Sequence, residues 1–204
     1  MTRLTPLDDS ASFGLWLIAL LIVVYLSTFV DLTNALLIPA FLLIGGLIIQ
    51  IAIVGKLEHD VSLSDTEVSQ TARYTFLAFA GILVGSIVLP SLFIPALPAA
   101  VTPGTTDAAL YTTLFAIAEE RFFRGGINTF LQWKLSNPML AVMVGALVFA
   151  AYHLAVFGTN FNSLAYVLFA GFLFGYVTYK TGRLTAATLA HVLNNLIAVF
   201  MGGA

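Results

Sequence analysis

The chain has no cysteine. Disulfides, thiolate metal sites, iron–sulfur clusters, cysteine nucleophiles and S-palmitoylation are therefore excluded. Charge is nearly as scarce. Only 9% of the 204 residues are Asp, Glu, Lys or Arg, against about 25% in a soluble domain. Eighteen charges, ten acidic and eight basic, cannot cover a fold of this size with a hydrated shell. The net charge of −2 offers no basic patch, so nucleic-acid binding is not expected. What fills the chain instead is apolar: 60% of residues are hydrophobic and 17 are Phe. The solvent implied is a lipid bilayer.

A spanning helix takes about 20 mostly apolar residues. Seven stretches qualify, at 12–30, 35–54, 74–97, 108–133, 139–157, 163–180 and 184–202. The expected fold class is all-α, a polytopic membrane bundle of about seven transmembrane helices. Pro90 is expected to kink or stop the third span. The first is too long for a signal-peptide core and reads as a retained anchor. With seven spans, Arg3, Lys56, Arg73, Lys134, Lys180 and Arg183 all fall on the side of the N-terminus, and none falls opposite. That split puts the N-terminus in the cytoplasm and the C-terminus outside. Trp133, Tyr179 and Tyr74 sit at the inner ends, where interfacial aromatics belong. The one long polar stretch, 55–73, reads as a solvated cytoplasmic loop, His59 included. The chain divides into N-terminal anchoring spans (1–107) and catalytic helices (108–204) of one membrane domain.

Against that background, some residues are out of place. The fourth span holds Glu119, Glu120, Arg121 and Arg124, the fifth His153, and the seventh His191, Asn194 and Asn195. A charge at mid-bilayer costs about 2.5–3.5 kcal/mol on insertion scales, so ionisable groups there point to function. Glu120 and Arg124 are four apart on a helix and can pair, while Glu119 points about 100° away. Phe149 and His153, and likewise His191 and Asn195, share a helix face by the same spacing. Glu120–Arg124 also reads as a buried ion pair that merely holds helices together. Arg121 reads as a headgroup or loop contact, and Asn194 points away from Asn195. At 1.5 Å per residue, Glu119 and His153 lie about 21 Å from the inner boundary and His191 about 10 Å. Different span boundaries, tilt, or a deep connection between the last two spans would close that gap.

A carboxylate and an imidazole can activate water; a second imidazole and an amide can stabilise an oxyanion. Together they suit hydrolysis of a carbonyl compound without a covalent nucleophile. Rival chemistries lack parts. Every Asp lies near a span end or in a loop, no H-E-x-x-H occurs, and Ser86 stands in no G-x-S-G. Zinc held by Glu119, His153 and His191 stays open, because two His and a carboxylate form a catalytic ligand set.

The residues Glu119-Glu120-Arg121-Phe122-Phe123-Arg124 form an E-E-x-x-x-R motif, Phe149–His153 an F-x-x-x-H motif, and His191–Asn195 an H-x-x-x-N motif. In this order, on separate apolar spans, they resemble the CPBP family of intramembrane glutamic proteases, which process CAAX proteins and bacteriocins; the likeness runs over 108–202 and includes a resemblance to the type II CAAX proteases. The resemblance implies Glu119 as the catalytic glutamate, His153 as its water-activating partner, His191 and Asn195 as the oxyanion pair, and Glu120 with Arg124 as support. It implies an endopeptidase with no cofactor and no metal. Its partners would be the bilayer and a membrane-associated protein or peptide, lipidated in the prenyl branch, and short loops and small size suggest a prokaryotic cell membrane. The competing functions are a non-enzymatic membrane binding or immunity protein using the same polar pocket, and a proton-coupled transporter. A transporter should show broken spans in repeated halves, and only the third span is broken here.

Overall fold

The computed structural model describes residues 37–50, 65–92 and 106–200. The expected first span lies outside these residues, as do positions 51–64, with His59, and the proline-rich stretch 93–105. Among the described residues there are only helices and their connections. Helix α1 is Leu37–Ile48 and α2 is Asp65–Leu92; α3, Thr106–Glu120, continues through a π-helical segment, Arg121–Asn128, into α4, Thr129–Lys134. Then come α5 (Pro138–Tyr152), the single turn α6 (Leu154–Phe157), α7 (Phe161–Thr181) and α8 (Thr185–Phe200). The expected spans thus reappear as helices wherever they are described. By length and composition two of these, Pro138–Phe157 and Phe161–Thr181, are long and apolar enough to cross a membrane. The stretch expected as a polar loop is helical from Asp65 onward, and α2 continues two residues past Pro90.

Local signals explain several boundaries. Asn137 caps α5 by accepting from the amides of Met139 and Leu140, and Pro138 follows at the first helical position. Asn160 caps α7 in the same way through the amide of Ser163. Gly182 ends α7 in the left-handed region, φ +67°, where a side chain would be strained.

The bundle is apolar outside and polar at its centre. Ile44, Ile48, Phe76, Val84, Leu110, Met143, Leu147, Val156, Phe161 and Phe200 are exposed, while Glu119, Glu120, Arg124, Asn128 and His191 are buried. That distribution suits lipid as solvent. One apolar cluster joins α1, the π segment and α5 through Leu42, Ile49, Phe122, Phe123, Ile127, Phe149 and Tyr152. A second joins α2, α7 and α8 through Ala78, Ile82, Phe174, Val177, Ala186, Ala187 and Ala190. Small residues bring backbones together. A Cβ on Gly46 of α1 would stand 2.7 Å from the Arg121 carbonyl oxygen, so α1 lies directly on the π segment.

The short turn between α7 and α8 decides the depth of the last helix. Leu184 is buried, and its Cδ1 would stand 3.2 Å from a Cβ on Gly125. The turn therefore lies level with Gly125, far short of Lys134. From Leu184 to His191 is about 10 Å of helix, and from Gly125 back to Glu119 about 9 Å. A recessed turn thus brings His191 to the level of Glu119. Glu67 of α2 forms an ion pair with Arg183 in this turn, and Thr75 donates to the Ala186 carbonyl.

Candidate active site

Glu119 and Glu120 are the last residues of α3, just before the helix widens into its π segment. Single π turns within α-helices are frequent at functional sites; nothing in the residue spacing announced this one. The Thr129 hydroxyl donates to the Arg124 carbonyl, five residues back. Both carboxylates are buried, at 3% and 0% exposure.

Glu119 faces two imidazoles. Its Oε1 lies 3.9 Å from His153 Nε2 and its Oε2 3.6 Å from His191 Nε2. Each ring is held from its far side. His153 Nδ1–H donates to the Phe149 carbonyl at 2.8 Å, because a carbonyl can only accept. This fixes the tautomer and turns Nε2 toward Glu119. His153 also sits at the break between α5 and α6, where Phe157 stacks on it at 5.9 Å and 11°. His191 Nδ1 lies 2.8 Å from Glu120 Oε1, and Phe174 stacks on its ring at 4.7 Å and 20°.

Glu120 Oε1 accepts a second bond, from Arg124 at 3.0 Å. Arg124 in turn donates to the Gly171 carbonyl at 3.1 Å. Its guanidinium lies 4.2 Å from the Phe149 ring centroid and 5.2 Å from that of Phe174, a cation between two aromatic faces. Phe149 therefore has two duties in the F-x-x-x-H motif: its ring faces Arg124 and its carbonyl orients His153. The pair expected as support is in contact with the site through His191.

Asn195 lies one helical turn beyond His191, and its amide donates to the Thr112 carbonyl at 3.4 Å. One expectation changes here. Asn194 does not point away: its amide donates to Asn195 Oδ1 at 3.4 Å, and its own Oδ1 accepts from the Tyr166 hydroxyl at 2.7 Å. Arg121, expected as a headgroup or loop contact, donates to buried Gln50 at 2.9 Å. Tyr166 and Gln50 were not legible as partners, because only packing brings them here. Asn128 was also missed. It lies one turn beyond Arg124 on the same face, wedged between Gly145 of α5 and Gly175 of α7. Ser86, by contrast, is exposed and donates to the Leu83 carbonyl of its own helix. Among the described residues no three His, Cys, Asp or Glu side chains are grouped to hold a metal ion.

Two carboxylates and two oriented imidazoles thus converge from α3, α5 and α8. Residues 101–197 match the family model described as type II CAAX prenyl endopeptidase Rce1-like. The segment is similar to CAAX proteases. All three motifs fall inside it, so protease and hydrolase are the activities the likeness supports. No curated protein and no solved structure matches the chain. The described residues are helical throughout, and the Rce1-like match and the two long apolar helices suggest an integral membrane protein.

Proposed function

We propose that the protein is an intramembrane endopeptidase of the glutamic type. The observation that carries this reading is Glu119 between two imidazole nitrogens at 3.9 and 3.6 Å. Both gaps exceed a direct hydrogen bond, and a water molecule can bridge such gaps. Glu119 takes a proton from that water with His153 alongside, and the oxygen bonds to the carbonyl carbon of the scissile peptide. Charge then develops on the former carbonyl oxygen. Asn195 donates to it from Nδ2, and His191, carrying a proton on each ring nitrogen, donates from Nε2 while Glu120 holds its Nδ1–H. Collapse breaks the C–N bond, and the proton on Glu119 passes to the departing amine. Glu120 and Arg124 hold His191 and the helix in register. Within this reading the chain's 108–204 half carries the chemistry and the 1–107 half anchors it.

The substrate class proposed is a membrane-associated protein or peptide with a prenylated C-terminal segment, after the activity named by the family description. The six-to-none distribution of Lys and Arg favours a cytoplasmic N-terminus, and a reporter fused at residue 204 should then read as external.

The test is Glu119→Gln, which keeps size and hydrogen bonding but removes the base. The purified protein in liposomes is given a farnesylated peptide ending in a CAAX tetrapeptide. The parent should release the C-terminal tripeptide, and Glu119→Gln should be slower by at least about 10²-fold, on the scale of general-base contributions. Folding should survive, since neutralising a buried carboxylate relieves its desolvation. Cleavage at the parental rate would refute the assignment.

A further inference from the structure

An asparagine that donates to an oxyanion has a problem of sense. Rotating its amide by 180° exchanges the NH2 and the oxygen at almost no steric cost, and presents a repulsive lone pair to the charge. Something must fix which way Asn195 faces. Among the contacts of Asn195, Thr112 offers a backbone carbonyl, which only accepts and so takes one N–H of Asn195. Asn194 offers an N–H, so it takes Asn195 Oδ1. Asn194 is itself an amide with the same ambiguity. With its N–H drawn to Asn195 Oδ1, Asn194 turns its own Oδ1 to Tyr166, whose hydroxyl donates to it at 2.7 Å, the shortest link in the series. Tyr166 stands on α7, 28 residues away in the chain, and packs against both apolar clusters. The series runs in one direction, from the Tyr166 hydroxyl through Asn194 to Asn195. It leaves the second N–H of Asn195 uncommitted.

We infer that Tyr166 and Asn194 are positioning residues that fix the amide of Asn195 with its N–H toward the developing oxyanion. This inference rests on the oxyanion role proposed for Asn195. Neither residue touches the reacting atoms; each acts through the next amide. Without the Tyr166 hydroxyl, Asn194 Oδ1 loses its donor, and Asn194 is free to rotate and withdraw its N–H from Asn195 Oδ1, which leaves the Asn195 amide held on one side only, by Thr112.

The variant is Tyr166→Phe, which keeps the ring and its packing. It is assayed as full-length protein in liposomes with the farnesylated peptide, alone and combined with Asn195→Ala. Expected is a fall in kcat of about threefold to tenfold, the scale of one neutral hydrogen bond, with KM and melting temperature unchanged. Asn194→Ala should lose a similar factor. In the Asn195→Ala background neither change should cost anything more, because the group they orient is gone. A purely structural tie between α7 and α8 would instead lower the melting temperature and multiply with Asn195→Ala; that result overturns the proposal. So does a parental kcat in Tyr166→Phe when Asn195→Ala is slow, and this leaves the oxyanion reading standing. If Asn195→Ala itself cleaves at the parental rate, the oxyanion reading fails and the positioning role falls with it.

Discussion

Glu120→Gln separates the scaffold from the chemistry, and its cost can be worked from the contacts. Glu120 is wholly enclosed. Its Oε1 accepts from Arg124 at 3.0 Å and from His191 at 2.8 Å. Its Oε2 is buried with no hydrogen-bond partner among the described residues. Glutamine keeps the accepting oxygen but places an NH2 group where nothing accepts, an unsatisfied donor worth about 1–3 kcal/mol. It also removes the charge that compensates Arg124. Breaking a buried ion pair from one side costs about 3–5 kcal/mol in soluble interiors. Arg124 keeps the Gly171 carbonyl and two aromatic faces, and membrane polar contacts average well under 2 kcal/mol. The lower end, about 3 kcal/mol, is therefore the expected loss. For a chain of this length that lowers the melting temperature by about 6–12 °C. Thermal unfolding of purified protein in detergent measures it, and cleavage rate per folded molecule is followed in parallel. Glu120→Gln combined with Arg124→Gln should regain part of the loss, since no uncompensated cation remains. A single variant that melts within about 2 °C of the parent, or a double variant less stable than either single, would refute the reasoning.

Two further outcomes are expected. The proposed mechanism routes no step through a metal, so exhaustive chelation should leave cleavage intact; activity lost on chelation and restored by stoichiometric zinc would replace it with the zinc alternative. Gly145→Ala should destabilise by about 1–3 kcal/mol through overpacking, because its Cβ would stand 1.6 Å from Asn128 Oδ1; adding Asn128→Ala should return part of the melting temperature, and no change in the single variant would refute the close fit.

The sequence alone pointed to the solvent and to the candidate chemistry. A chain with 9% charge and 60% apolar residues suits lipid as its solvent, and helices are one of two ways to satisfy its backbone there. Charges inside apolar runs then stood out because their burial is costly, and their spacing by four assigned Glu120 with Arg124 and Phe149 with His153 to common faces. Those are local facts, fixed by 1.5 Å and 100° per residue. What residue spacing could not give was anything set between helices. The depth of His191 depends on the recessed turn at 182–184, which is held by Leu184 beside Gly125 and by the ion pair of Arg183 with Glu67. The polar stretch from Asp65 is helical although its composition resembles a loop; it is largely exposed, and meets the bundle through buried Thr71 and the ion pair of Glu67 with Arg183. Asn194 turned toward Asn195, and Tyr166, Gln50 and Asn128 joined the site's surroundings, through partners 28 or more residues distant or through hollows left by glycines on other helices. Covalent spacing determines which side chains share a face; only helix packing determines which faces meet, and at what height.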